Sequence, residues 1–349
     1  MPRYYTRVCN FYYGKNSKNL ILKKKTLPLH GNKTISFDRI EIISRDTKRN
    51  IQINEINKLP NNLKKKIKQD LKSVTKKKYF KNLPLNSYPK IMGILNITPD
   101  SFSDGGKYNK TYLAEKQLNY LFKKGANLVD IGGESTRPGA KPVSSKVEWD
   151  RIKGILKRID KRKLISLDTR KSEIMEKGIK LGVKLINDVS GLSYDNQTIE
   201  FLKKFKIPFV LQHSQGTAIN MQQKPTYKNE LLDIYDFFEK KIEFLRSFGI
   251  NHRNIIIDPG IGFGKNLKHN MSLIKNISIF HSLGFPILVG NSRKKFIKEL
   301  SKKNDTKERI GGTIASSIYL MMHGVQILRI HDVNEVQQAI KVFKAILKN

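Results

Sequence analysis

The chain has 349 residues, 38% of them hydrophobic, with 67 Lys and Arg against 30 Asp and Glu and a formal net charge of +37. That apolar fraction suffices for a buried core, and no apolar run reaches the ~20 residues needed to span a bilayer, which excludes a helical membrane protein; a single cysteine, Cys9, excludes an intrachain disulfide framework or thiolate metal site. The lysines are spread along the whole chain rather than clustered on one face, so nucleic acid is not an expected partner, although an anionic substrate would benefit from the field. The N-terminus lacks an apolar stretch followed by a small-residue cleavage site, and a reducing, cytoplasmic location is expected.

Residues 1–88 hold 22 Lys and Arg against 5 Asp and Glu, with few glycines, and are read as a separate basic extension. Ile35 to Ile43 and Ile51 to Ile56 read as strands, with Ile35/Phe37 and Ile51/Ile53 alternating at period 2. After Pro60, Leu63, Ile67, Leu71 and Val74 fall at helical spacing. The reading is a small α+β module without residues suited to catalysis, whose lysines form a solvated face.

From residue 89 to residue 349 the texture changes to short apolar runs separated by helix-length stretches. The runs are Ile91 to Leu95, Leu128 to Ile131, Leu164 to Leu167, Lys184 to Ile186, Pro208 to Leu211, Asn254 to Ile257, Pro286 to Val289 and Gln326 to Ile330. Amphipathic segments such as Leu231 to Phe248 lie between them. This βαβα alternation implies a parallel sheet covered by helices, and eight repeats in ~260 residues favour closure into a (βα)8 TIM barrel, with its active groups at the C-terminal strand ends.

Those ends are polar. The first run leads into Asn96-Ile97-Thr98-Pro99-Asp100-Ser101-Phe102-Ser103-Asp104-Gly105-Gly106, and the second into Gly132-Gly133-Glu134-Ser135-Thr136-Arg137-Pro138-Gly139. The later runs end in Asp168-Thr169, Asn187-Asp188-Val189-Ser190-Gly191, Gln212-His213, Asp258-Pro259-Gly260, Asn291-Ser292-Arg293-Lys294 and Arg329-Ile330-His331-Asp332. The glycines from Gly260 to Gly264 have the wrong spacing for a dinucleotide fingerprint.

In order and at strand ends, the strings MGILNITPDSFSDGG, DIGGESTRPGA, SLDT, INDVSG, IDPGIGFGK, GNSRK and RIHDV resemble those of the dihydropteroate synthases, over about Lys90 to Asp332. The resemblance implies a transferase of folate biosynthesis that joins 6-hydroxymethyl-7,8-dihydropterin diphosphate to p-aminobenzoate, releases diphosphate and is a sulfonamide target. It implies pterin binding by Asp168, Asn187, Asp258 and Lys294, and diphosphate binding by Arg329 and His331, with Asp168, Lys294, Arg329 and His331 as the catalytic set. Asn96 matches the magnesium-associated, diphosphate-side position, making Mg²⁺ the expected cofactor. Phe102, Thr136, Arg137, Pro138 and Ser292 match the p-aminobenzoate subsite.

Gln212 and Ser214 stand where methionines are common in the family, and Ile261 where an aromatic is common. The family also suggests a homodimer, and the small-residue run Gly311, Gly312, Ala315, Ser316, Ser317 beside Tyr319 and Met322 would suit either a subunit contact or packing on the barrel wall. Two other readings stay open. One is a pterin-binding methyltransferase serving a corrinoid protein, against which the STRPG and SRK strings argue. The other is a basic nucleic-acid-binding protein with an inert barrel.

Overall fold

The computed structural model describes residues 3–80, 83–85, 89–98, 107–135, 140–216 and 225–347. The N-terminal region begins with an antiparallel sheet. Strand β1 (Tyr5–Tyr13) pairs along one edge of the long β3 (Asn32–Ile43), while β2 (Leu27–Leu29) and β4 (Lys48–Gln52) share its other edge. Helix α1 (Gly14–Leu22) follows β1, and α2 (Asn61–Thr75) starts directly after Pro60. The second expected strand is shorter than its Ile51 to Ile56 pattern: it ends at Gln52, and Ile53–Lys58 turns into a 3₁₀ segment. The cause is local, since the Glu55 carboxylate accepts the Gln52 backbone N–H at 2.7 Å and closes a capping box.

On α2 the expected apolar stripe is buried. Ile67, Leu71 and Val74 pack with Leu29, Phe37 and Ile40 of the sheet, and Leu63 lies at the margin of this core. The sheet's other attachments are to the remainder of the chain. The Tyr5 ring meets Tyr235 edge-on at 5.2 Å and its hydroxyl donates to Asp236 at 2.8 Å. Ser278 donates to the Val8 carbonyl, Tyr13 donates to the Met322 carbonyl, and Gln326 donates to His30. A two-residue antiparallel pair, β5 (Tyr79–Phe80) and β6 (Leu83–Pro84), leads onward.

Eight parallel strands follow: β7 (Lys90–Asn96), β8 (Leu128–Gly132), β9 (Ile165–Asp168), β10 (Leu185–Asp188), β11 (Phe209–Gln212), β12 (Ile255–Asp258), β13 (Leu288–Val289) and β14 (Ile327–Ile330). They are hydrogen-bonded in the order β12-β11-β10-β9-β8-β7-β14-β13, and a parallel bridge between Ile257 and Ile287 closes the ring. The intervening helices are α3 (Lys107–Lys123), α4 (Ser145–Leu156), α5 (Ser172–Lys180), α6 (Thr198–Phe205), α7 (Glu230–Ser247), α8 (Leu267–Lys275), α9 (Lys295–Ser301), α10 (Ile310–Met322) and, after β14, α11 (Val333–Ile346). The fold is the expected TIM barrel.

Both faces of these strands are apolar because one packs on helices and the other fills the barrel. Ile131, Ile165, Leu167, Ile186, Phe209, Leu211, Ile257 and Leu328 face the helices in one continuous core. Inside, Met92, Leu128, Leu164, Leu185, Val210, Ile256, Leu288 and Ile327 form a closed layer, one residue from or beside each strand, with Leu85 plugging it. Strand side chains alternate, so the residue two positions beyond each plug residue also points inward, one level higher. That rule places Asp130, Asn187, Gln212, Asp258 and Arg329 above the plug. The dry layer beneath them gives the site its floor.

Candidate active site

The C-terminal strand ends lie in register: Asn96 is opposite Gly132, Gly132 opposite Asp168, Asp168 opposite Asn187, and Gln212 opposite Asp258. Gly132 leaves room in this ring, since a Cβ there would stand 3.4 Å from the Asp168 Cβ and 3.5 Å from Asn96 Oδ1. At the centre lies Arg329. Its Nε donates to Asp130 Oδ2 at 2.6 Å and its terminal nitrogen to Asp168 Oδ2 at 2.7 Å, while Asn187 Nδ2 donates to the same Asp130 oxygen at 2.9 Å. Asp130 Oδ1, Asp168 Oδ1 and Asn187 Oδ1 are buried without a hydrogen-bond partner among the described residues. Buried polar atoms of this kind cost stability unless a ligand or water meets them, so this cup, with the acceptors of Asp168 and Asn187 beside Arg329, is the candidate binding site.

Across the mouth, the Asp258 carboxylate accepts the Gly260 N–H at 2.7 Å, and burial pushes its pKa up to about 6. Gly260 has φ +68°, and a Cβ there would fall 1.9 Å from the His213 carbonyl, so only glycine fits this turn. Lys294 reaches over the Phe263 ring, 4.1 Å from its centroid, and a side chain at Gly262 would press on the lysine stem at 3.1 Å. Burial, reinforced by the nearby Arg329, lowers the Lys294 pKa to about 8. Burial also raises Asp168, against the pull of Arg329. Ser292 and His331 are brought together: the Ser292 hydroxyl lies 3.1 Å from His331 Nδ1 and accepts the His331 N–H at 3.2 Å.

The structure therefore gathers Asn96, Asp168, Asn187, Asp258, Lys294, Ser292, Arg329 and His331 at one end of the barrel. Phe102, Thr136, Arg137 and Pro138 lie outside the described residues. The anchors of the second loop are described. Glu134 accepts from the Val143 N–H on the loop's far side, from Arg170 and from Lys171, and Lys171 also pairs with the fully buried Glu148.

Two groups of the mouth escaped the sequence reading. Asp130 sits inside the apolar run Leu128 to Ile131, where only strict alternation from Leu128 would have shown it facing inward. Lys265 is buried with its ammonium 3.0 Å from His213 Nδ1 and 2.8 Å from the Phe263 carbonyl, and burial lowers its pKa to about 7. Asn291, by contrast, turns away from the mouth and donates to Thr313, Ser316 and Ser317 of α10. With Gly312 pressed on Ile297, the Gly312, Ser316 and Ser317 side of the small-residue run packs inward, whereas Gly311 and Ala315 are exposed. Among the described residues, no group of three or more His, Cys, Asp or Glu side chains is arranged to hold a metal ion.

Comparison with known proteins agrees with this fold. The family model for pterin binding enzymes matches residues 92–331. Over 263 residues the chain is 40% identical to the dihydropteroate synthase of Escherichia coli strain K12, covering 75% of this chain and 93% of that protein. The Yersinia pestis dihydropteroate synthase solved with a sulfonamide drug complex superposes with a TM-score of 0.71 at 39% identity, covering 76% of this chain and 97% of that one. The Xanthomonas albilineans dihydropteroate synthase with 4-aminobenzoic acid also gives 0.71, at 35% identity, covering 76% and 94%.

Proposed function

The chain belongs to the family of pterin-binding enzymes, and from that premise we propose how its barrel mouth carries out the dihydropteroate synthase reaction, the condensation of 6-hydroxymethyl-7,8-dihydropterin diphosphate with p-aminobenzoate. The single observation behind the assignment of roles is the cup itself: orphan carboxylate and amide oxygens on one side, with Arg329 and Lys294 beside them.

A pterin is a flat heterocycle edged with N–H donors and ring acceptors. Asp168, Asn187 and Asp258 supply acceptors for the donors, and Lys294 supplies a donor for a ring oxygen or nitrogen. The diphosphate then lies towards Arg329 and His331. As the carbon–oxygen bond breaks, its electron pair goes to the diphosphate oxygens, and cations already held in place lower the barrier because they need not reorganise. The p-aminobenzoate nitrogen lone pair forms the new bond to the exocyclic methylene carbon, and the amine then loses a proton. Ser292, with Phe102, Thr136, Arg137 and Pro138, forms the subsite for this second substrate, which is where a sulfonamide would compete. No side chain needs to form a covalent intermediate.

Asn96 offers one neutral oxygen at the end of β7, beside the space that Gly132 leaves open. That suits Mg²⁺, which takes few protein oxygens when substrate phosphates and water complete its shell. When bound, Mg²⁺ would neutralise charge on the diphosphate. A homodimer is the proposed assembly. Its support is the apolar groove of Ile314, Ile318, Val342, Phe343 and Ile346 between α10 and α11, in which Val342 and Ile346 are exposed.

The test is direct. Purified chain, given the dihydropterin diphosphate and p-aminobenzoate with Mg²⁺, is expected to yield 7,8-dihydropteroate and diphosphate, with a sulfonamide raising the apparent KM for p-aminobenzoate. Failure to form dihydropteroate, with methyl transfer to a corrinoid protein instead, would favour the methyltransferase reading.

A further inference from the structure

We propose that Asp130 is a positioning residue that serves both halves of the first substrate at once, by fixing the orientation of the Asn187 amide and the reach of the Arg329 guanidinium. The proposal rests on the functional reading above. Its ground is the geometry of one oxygen. Asp130 Oδ2 receives Arg329 Nε at 2.6 Å and Asn187 Nδ2 at 2.9 Å, and the side chain is completely buried.

A carboxylate that accepts from Arg329 offers only lone pairs, so Asn187 must present its NH₂ end to it. The opposite end, Oδ1, is then turned to the cup, where it is buried without a partner among the described residues. Asp130 thereby makes Asn187 an acceptor toward the ligand, matching the orphan Oδ1 of Asp168 beside it, and the pair calls for a ligand edge carrying N–H donors. An Asn187 amide turned the other way would set its donors toward the ligand and its oxygen against a carboxylate. Asp130 and Asp168 also occupy Nε and one terminal nitrogen of Arg329, which fixes the plane of the guanidinium. The other terminal nitrogen remains to meet the diphosphate. Asp130 stands on β8, two strands from Asn187 on β10 and two from Arg329 on β14, and so lies midway between its two partners around the barrel.

The experiment is calorimetric titration of the full chain with 6-hydroxymethyl-7,8-dihydropterin and, separately, with inorganic diphosphate. Asp130→Asn is expected to weaken both by ~10-fold or more, the effect of losing a charge-assisted hydrogen bond. Asn187→Ala should weaken only the pterin, and Arg329→Lys chiefly the diphosphate. An Asp130→Asn protein that keeps both affinities within twofold, or loses only one, overturns the proposal. A second measurement on the wild type covers the case in which that variant does not fold. The Asn187 side-chain NH₂ protons, identified by their loss in Asn187→Ala, should be protected from exchange before pterin is added and unmoved after. Protons that exchange freely until pterin arrives would show the amide reversed and end the proposal. If the wild type binds neither compound, the functional reading fails as well, whereas wild-type binding with an indifferent Asp130→Asn removes only this inference.

Discussion

Asp258 and Lys294 are shifted toward each other by the same cause. Burial penalises the charged form of each, so the carboxyl is raised to about 6 and the ammonium lowered to about 8. Pterin binding as proposed uses the carboxylate and the ammonium. Affinity should therefore fall as pH rises through about 8 and Lys294 loses a proton, and fall on the acid side as Asp168, also raised by burial to about 8, and then, near 6, Asp258 take up protons. The measurement is the Kd of 6-hydroxymethyl-7,8-dihydropterin from pH 5 to 9. A flat profile would contradict the assignment, and in Asp258→Asn the step near pH 6 should disappear. While their roles came from the family resemblance, the strand-end positions of these two residues were legible in the sequence because each follows an apolar run and stands in a polar string. Asp130 was not, because an acid inside a run is hidden until the plug layer beneath it fixes which strand face is inward. Lys265 was hidden for another reason, since its partners are backbone carbonyls and His213, which no residue spacing discloses.

The eight barrel strands were readable because burial on both faces leaves uninterrupted apolar runs, and the runs match β7 to β14 to within a few residues at each end. Helix α7 likewise runs from Glu230 to Ser247 against a reading of Leu231 to Phe248, with Asn229 capping it through the Leu232 N–H. The N-terminal elements were less so. In β1, buried Tyr5, Thr6 and Val8 give way to partly exposed aromatics, so no clean alternation appears, and α1 lacks a capping side chain. Loop roots depend on partners distant in the chain. Gln215 exchanges hydrogen bonds with both backbone groups of Thr226, and Arg45 of the N-terminal region reaches Asp233, which itself accepts from the N–H groups of Lys228 and Asn229. The N-terminal sheet is thus connected to the root of the loop after β11, an arrangement that periodicity cannot reveal.

At the scale of the whole molecule, the basic extension expected over residues 1–88 keeps its own core, yet Tyr5 and Ile43 belong to the core of the barrel. We propose that it stabilises the barrel and takes no part in the chemistry. Tyr5→Ala should lower stability by ~3–5 kcal/mol, the range for truncating a buried aromatic, read from the denaturant midpoint. Its kcat should stay within ~10-fold, about 1.4 kcal/mol of barrier. A well-folded variant that loses kcat a thousandfold would mean that the extension acts on the active site. The claim on which everything else depends is that the polar cup above the plug holds the pterin. Its most direct test is titration of 6-hydroxymethyl-7,8-dihydropterin into the wild type, Asp258→Ala and Lys294→Ala, with circular dichroism as a check on folding. The account predicts saturable binding by the wild type and none measurable by either folded variant. Wild-type affinity in either one would contradict it.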